Sequence, residues 1–298
     1  MTFPRCNNFN GTKILKKYLF IIIDYKKPSL TKMILDNANR YFKNYIISLN
    51  YNAYMLKVYQ ILIIAYTTGI LWLRRNPLSL IFTAITPFSL LFVLFIISDG
   101  QYTQYAISGS LVMALVGYGL ALGQDITYYK TEYKIQDMFV ASPISPLTYM
   151  TGLALSEILF GFPALVVLLF LIFYIGVSFL YIPLLIFIIL IVWISTSSMG
   201  FFLSSHMLHM KNATQIISFV NVFLAILPPV FYSINKLPEI LQYVSYIAPT
   251  THASLMIQYA MGFDTPENWS ILIGISVQLV YAIGFITLAK VHALWRET

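Results

Sequence analysis

Few residues of this chain are of a type that does chemistry. Cys6 is the sole cysteine, so no intrachain disulfide forms. His206 and His209 stand three apart, a spacing that puts two imidazoles on one face of a helix. A metal would need a third ligand, and no Asp, Glu or Cys lies nearby in sequence, so no metal site is expected. Glu157 is the only acidic residue well inside a long apolar run. A charge at a bilayer centre costs about 3 kcal/mol on insertion scales. Glu157 is therefore either a polar spot on a translocation path, a proton site, or a carboxyl hydrogen-bonded between helices near the inner leaflet. His252 is open to two readings, a part in gating or a packed polar residue. Gly117, Gly119 and Gly123 lack the lysine of a phosphate-binding loop, and the pattern G-x-x-x-x-G-K-[ST] occurs nowhere. In an apolar run such glycines allow helices to approach closely. No catalytic residue and no cofactor of the chain's own are expected.

The elements that would position these residues are set by composition. The chain has 298 residues, of which 59% are hydrophobic and 10% charged, with a mean hydropathy of +0.77. Soluble domains carry about 25% charged residues. A water-soluble globule of this size could not hide so much apolar surface, so the fold class is an all-α polytopic membrane protein. Six spans are predicted over residues 76–97, 105–124, 150–176, 182–205, 214–232 and 269–290, with Pro87 and Pro163 as interior kink points. Residues 1–53 read as a basic, partly disordered tail without a convincing signal peptide. Met33 is a candidate true start. Residues 54–75 read as an interfacial amphipathic helix on the inner leaflet, with a seventh span as the alternative.

Of the 18 lysines and arginines only Lys236 falls on the far side of this topology, which places both termini and the loops 125–149 and 206–213 in the cytoplasm. The expected location is the plasma membrane, with lipid around the spans and no nucleic-acid partner. Residues 228–265 do not form a simple loop. Pro228, Pro229, Pro238 and Pro249 break them into apolar pieces too short to cross, which read as a re-entrant helical segment entering from outside at 233–265. The ends of such pieces must be covered by other helices or face a water-filled cavity.

Two stretches carry a family resemblance. One is Glu132-Tyr133-Lys134-Ile135, Asp137-Met138-Phe139 and Ser142-Pro143-Ile144-Ser145 after the second span. The other is Pro228-Pro229-Val230-Phe231-Tyr232, Leu237-Pro238 and Ile247-Ala248-Pro249-Thr250-Thr251 before the last. Together with the order of elements over residues 54–290, these resemble the ABC-2 permeases, the membrane subunits of ATP-binding-cassette exporters of drugs, lipids and polysaccharides. Ala248 and Gln258 depart from that pattern, where many members have Asn and Arg, and this puts the details of an outer gate in doubt.

The resemblance implies a transmembrane domain over residues 54–298 that works as a homo- or heterodimer with two cytoplasmic ATPase subunits, which bind the ATP and Mg. It implies export of a hydrophobic or amphipathic substrate. It also makes 125–149 the piece that docks on the ATPase, with Tyr133, Met138 and Phe139 in a groove and Lys130, Glu132, Lys134 and Asp137 as rim charges that set register, ahead of Pro143. Pro228, Pro229, Pro238, Pro249 and His252 fall in its outer gate. Two other classes stay open: an ion-coupled carrier, which would normally show internal repeats, and a membrane-embedded lipid enzyme, which would need clustered acids or histidines at one interface.

Overall fold

The computed structural model describes residues 53–133, 144–262, 266 and 269–292. All regular elements among them are helical. They are α1 (Ala53–Ala65), a π-helical turn (Tyr66–Ile70), α2 (Leu71–Arg75), α3 (Ser79–Ile97), α4 (Thr103–Thr131), α5 (Pro146–Tyr174), α6 (Ile182–Ser205), α7 (Met210–Ile226), α8 (Glu239–Ser245), α9 (Pro249–Ala260) and α10 (Ile271–His292). The tail 1–52 lies outside the described residues.

The hub is α4. It is buried along most of its length, because its small residues let neighbours reach its backbone. A side chain on Gly119 would overlap Thr196 of α6, and one on Gly200 would come within 2.6 Å of the Gly119 carbonyl. The Thr196 hydroxyl crosses the same seam to donate to the Leu115 carbonyl at 3.2 Å, while also serving Val192 one turn back on its own helix. Where lipid removes the hydrophobic drive for association, close packing and such shared hydrogen bonds hold helices together.

Residues opposite one another fix the directions. Gly119 and Gly123 of α4 meet Thr196 and Gly200 of α6, so these two run parallel. Gly161 of α5 meets Tyr118, and Ile217 and Asn221 of α7 meet Gly123 and Gly117, so α5 and α7 run against α4. A tight turn through Asp99 and Gly100, both at positive φ, reverses the chain between α3 and α4. The Phe202 and Phe285 rings meet at 5.4 Å and the start of α10 packs on α9, so α10 runs with α4 and α6.

Among the described residues six helices are long and apolar enough to cross a membrane, and they are not quite the six predicted. Leu56–Arg75 is among them, whereas Met210–Ile226 has 17 residues, about 25 Å at 1.5 Å per residue. The predicted span 214–232 is corrected accordingly: the helix is over by Ile226, and the chain continues to Pro228-Pro229 without helix. The α1–α2 helix does not lie across its neighbour. Gly152 of α5 faces Ile64, Ser156 faces Gly69, and Phe160 meets Trp72 at 5.2 Å, so it runs alongside α5 in the same direction. That direction is also α3's. Residues 76–78 extend at most about 14 Å, too little to carry the chain back across about 30 Å of hydrocarbon. Two consecutive helices pointing the same way cannot both be full crossings. Along the chain α3, α4, α5, α6, α7 and α10 alternate in direction, and α1–α2 stands outside that alternation.

Pro87 lies inside α3 and Pro163 inside α5, and a third proline opens α5. Pro87 leaves the Thr83 carbonyl without its helical N–H donor. The Tyr118 hydroxyl of α4 donates to that carbonyl at 3.2 Å, and its ring fills the space a side chain at Gly161 would need. Pro146 opens α5 at its first turn, with Ser145 as N-cap accepting from the Thr148 N–H at 3.2 Å.

The α4–α6 seam makes a stability prediction. Gly119→Val or Gly200→Val forces the helices apart and costs about 1–3 kcal/mol. Gly284 has nothing within 4 Å of an added methyl, so Gly284→Ala leaves stability unchanged. Thermal unfolding of the purified protein in one detergent distinguishes the three.

Candidate functional site

Chemistry-bearing residues gather at three places. The first is the end of the bundle where α4 ends and α5 begins. The predicted loop 125–149 is shorter than expected, because α4 continues to Thr131 and α5 starts at Pro146. Lys130 sits half-buried in the last turn of α4, while Glu132 and Tyr133 are exposed just beyond it. The Tyr133 ring stands edge-on to Tyr128 at 4.8 Å, with the two hydroxyls 3.2 Å apart. Lys134, Asp137, Met138, Phe139 and Pro143 lie outside the described residues.

The longer α4 corrects a second expectation. Glu157 is not the only acidic residue within the helices of the bundle: Asp125 falls on α4, and its carboxyl lies close enough to that of Glu157 on α5 for the two to interact. A carboxyl–carboxyl hydrogen bond needs a proton on one partner, since two carboxylates only accept. Glu157 is 4% exposed, with one carboxyl oxygen lacking a protein partner. Tyr129 and Tyr149 stand beside the pair. Sequence reasoning ended the second span at residue 124, one residue short of the partner. Counting 3.6 residues per turn past Gly123 would have brought Asp125 into the helix.

The paired histidines are also corrected. α6 ends at Ser205, and His206 caps it, its Nδ1 within 3.1 Å of the Phe202 carbonyl and 3.0 Å of the Ser205 hydroxyl. His209 is in extended backbone before α7. The two imidazoles therefore do not share a helical face.

The second place is the broken segment at the opposite end. Residues 228–232 are non-helical, and Phe231 lies where Gly109 of α4 leaves room for its ring. Pro238 precedes the short, exposed α8, and Pro249 opens α9. α9 has 12 residues, nearly all buried, a half-length helix wrapped by other helices as a re-entrant piece requires. Its surroundings satisfy the backbone groups that the breaks expose. Gln278 of α10 donates to the Pro249 carbonyl at 2.6 Å, and the Tyr281 hydroxyl donates to Ile247 at 2.6 Å. The Thr251 hydroxyl donates to Ser245 at 2.6 Å. Ser254 donates to the Val230 carbonyl at 3.1 Å and itself accepts from Gln258 at 2.7 Å.

Gln258, where the resemblance leads one to expect arginine, thus ties α9 to the Pro228-Pro229 break. His252 sits 2% exposed between the Tyr246 carbonyl and the Trp269 indole. Gln278, Tyr281 and Trp269 were missed by sequence reasoning. Their signal was an amide and a phenol three residues apart in the apolar run of the last span, on one helical face.

The third place is a cavity of about 190 Å³ between α3, α4 and α7, lined by Thr83, Thr86, Pro87, Met113, Tyr118 and Asn221 among others. Asn221 keeps a buried amide oxygen with no protein partner. The cavity lies beside Pro87 of α3.

With this geometry in place, comparison with known proteins gives the family. The family model described as ABC-2 type transporter matches residues 50–261. The chain belongs to the ABC-2 type transporter family, and is thereby of the class of ABC-transporter permease subunits. Among curated proteins none matches the chain.

The carboxyl pair makes its own prediction. Glu157→Gln offers Asp125 a hydrogen-bond donor and leaves thermal stability within about 0.5 kcal/mol of the wild type. Glu157→Ala strips Asp125 of its partner and costs about 1–3 kcal/mol. Equal melting of the two variants would show the pair to be of no structural consequence.

Proposed function

We propose that this chain is the membrane-embedded half of an ATP-driven exporter. It works as a dimer with two separate cytoplasmic ATPase subunits, which bind the ATP and Mg. The observation that carries this reading is the family match, which runs from α1 through the end of α9. The orientation is read from charge: Lys130 lies in the last turn of α4 and Lys211 in the first turn of α7, Lys57 lies early in α1, and Arg74 and Arg75 close α2, with the basic tail preceding them in sequence. The end of the bundle where α4 ends and α5 begins faces the cytoplasm of a plasma membrane. Lys236, above the Tyr102 ring at 4.1 Å, belongs to the outer end.

In this mechanism the residues from Lys130 to Pro143 seat on the ATPase, with Tyr133, Met138 and Phe139 as apolar anchors and Lys130, Glu132, Lys134 and Asp137 as rim charges. ATP-driven closure of the two ATPases pushes on the end of α4. α4 is gripped by α3 through Tyr118, by α6 through the glycine seam and by α7 through Ile217, so the push moves these helices together. The cavity beside Pro87, which Tyr118 helps to line, is where a hydrophobic or amphipathic cargo meets the path. The segment 228–265 is the outer gate it leaves by.

A second reading is favoured by one observation. Asp125 and Glu157 set two carboxyls beside one another on adjacent helices, the kind of pair an ion-coupled carrier would use to bind a proton. Liposomes containing this chain alone separate the two readings. Steady uphill transport driven by a proton gradient establishes the carrier, whereas transport only with the ATPase and ATP establishes the permease.

Docking has a direct check. A cysteine at Met138 is expected to cross-link to the ATPase in the assembled complex, and substitutions there to change the rate of ATP hydrolysis. Absence of cross-linking from every position between Glu132 and Ser145 removes the docking role.

A further inference from the structure

His252 is placed as a proton-sensitive tie rather than a packed polar residue. An indole N–H can only donate, so the 3.2 Å contact from Trp269 Nε1 makes His252 Nδ1 an acceptor. The ring is then the neutral Nε2–H tautomer, and its N–H donates to the Tyr246 carbonyl at 2.9 Å. Both nitrogens are in use only while the ring is neutral. A proton added at Nδ1 takes up the lone pair that the indole needs, and sets N–H against N–H. We propose that His252 is a proton-operated latch of the outer segment: neutral, it ties α9 to the turn that leads into α10, and on taking up a proton from the outer side it lets Trp269 go.

The proposal rests on the permease reading only for which face of the membrane supplies the proton. The surroundings make charging the ring costly. It is 2% exposed, and burial holds its pKa below the usual 6.5, partly offset by the hydrogen bond to Tyr246. The titratable groups around it are phenols: Tyr246 from the residue after α8, Tyr259 on α9 beside Trp269, and Tyr281 from α10. Of the helices packed on α9, α6 carries no ionisable side chain, α4 and α7 carry their charged ones, Asp125, Lys130 and Lys211, toward the cytoplasmic end, and Lys290 and His292 fall in the last turn of α10, whose first turns are the ones that meet α9. Asp264 and Glu267, the acidic residues nearest Trp269 in sequence, lie outside the described residues. With no counter-charge among the described neighbours, the imidazolium is relieved by exposure to water, and exposure opens the latch.

The sign follows. A histidine whose folded pKa lies below its unfolded value favours the closed form fully above about pH 6.5. That preference is lost as pH falls from there through the folded value. The other ties on α9 contain no group that titrates in this range: Gln278 on Pro249, Tyr281 on Ile247 and Ser254 on Val230. Acid therefore loosens the Trp269 side alone and leaves α9 seated.

The test uses the full chain in detergent, without ATPase or cargo, so its outcome is independent of whether the chain is a permease. Tryptophan emission and acrylamide quenching are followed from about pH 8 to about pH 4.5, and the Trp269 share is obtained by subtracting a Trp269→Phe variant. The expected result is a single transition with midpoint below 6.5, with Trp269 at least about twofold more open to quencher on the acid side. His252→Gln supplies an acceptor for the indole and a donor for Tyr246 without a titrating group, and is expected to stay closed and flat across the range. A transition that persists in His252→Gln overturns the proposal. Should that variant fail to fold, the wild type decides alone, since Trp269 no more open at acid pH than at neutral pH overturns it equally.

Discussion

Everything in this bundle answers to one constraint: inside lipid, each backbone N–H and C=O exposed by a break in a helix needs a partner from the protein. The chain breaks its helices in two places that matter. At Pro87 the orphaned carbonyl of Thr83 is taken by Tyr118 from the neighbouring helix. Around α9 a set of side chains, from Ser254 to Gln278 and Tyr281, covers carbonyls at Val230, Ile247 and Pro249. An irregular segment can lie at membrane depth because other helices supply its hydrogen bonds.

The same constraint explains why polar residues cluster where they do. α4 and α6 could meet backbone to backbone only with glycine, serine and threonine at the seam. Of these, Thr196 returns its hydroxyl to carbonyls at that contact. The two carboxyls of Asp125 and Glu157 are accommodated by pairing with one another. Membership in the ABC-2 type transporter family is consistent with such an economy of polar groups.

Much of the fold was legible from hydropathy and prolines. The long apolar helices α3, α4, α5, α6 and α10, the start of α5 next to Ser145 and Pro146, and the short pieces between Pro228 and Pro249 all follow from local rules that a single sequence expresses. What was illegible depended on neighbours. Asp125 reads as a loop residue because the apolar run ends before it, and only α5 packed alongside makes a helix there worthwhile. Gln278 and Tyr281 look like incidental polar residues in a span until the broken backbone they cover is placed against them. The histidine pair failed for the opposite reason, since the helix that the spacing presumed stops at Ser205. The direction of α1–α2 was likewise beyond the sequence, because amphipathic composition says which faces are wet and nothing about which neighbour the helix follows.

That direction has a mechanical consequence. α1–α2 and α3 point the same way and are joined by residues 76–78, with Pro77 fixing part of the geometry. Asn76 still donates back to the Trp72 carbonyl at 3.0 Å, and the Ser79 N–H to the Asn76 carbonyl at 3.0 Å. A joint so short and so hydrogen-bonded works as a stiff elbow rather than a slack tether. A tilt imposed on the first arm is handed on to the second with little loss, and the second arm carries Pro87, which borders the cavity.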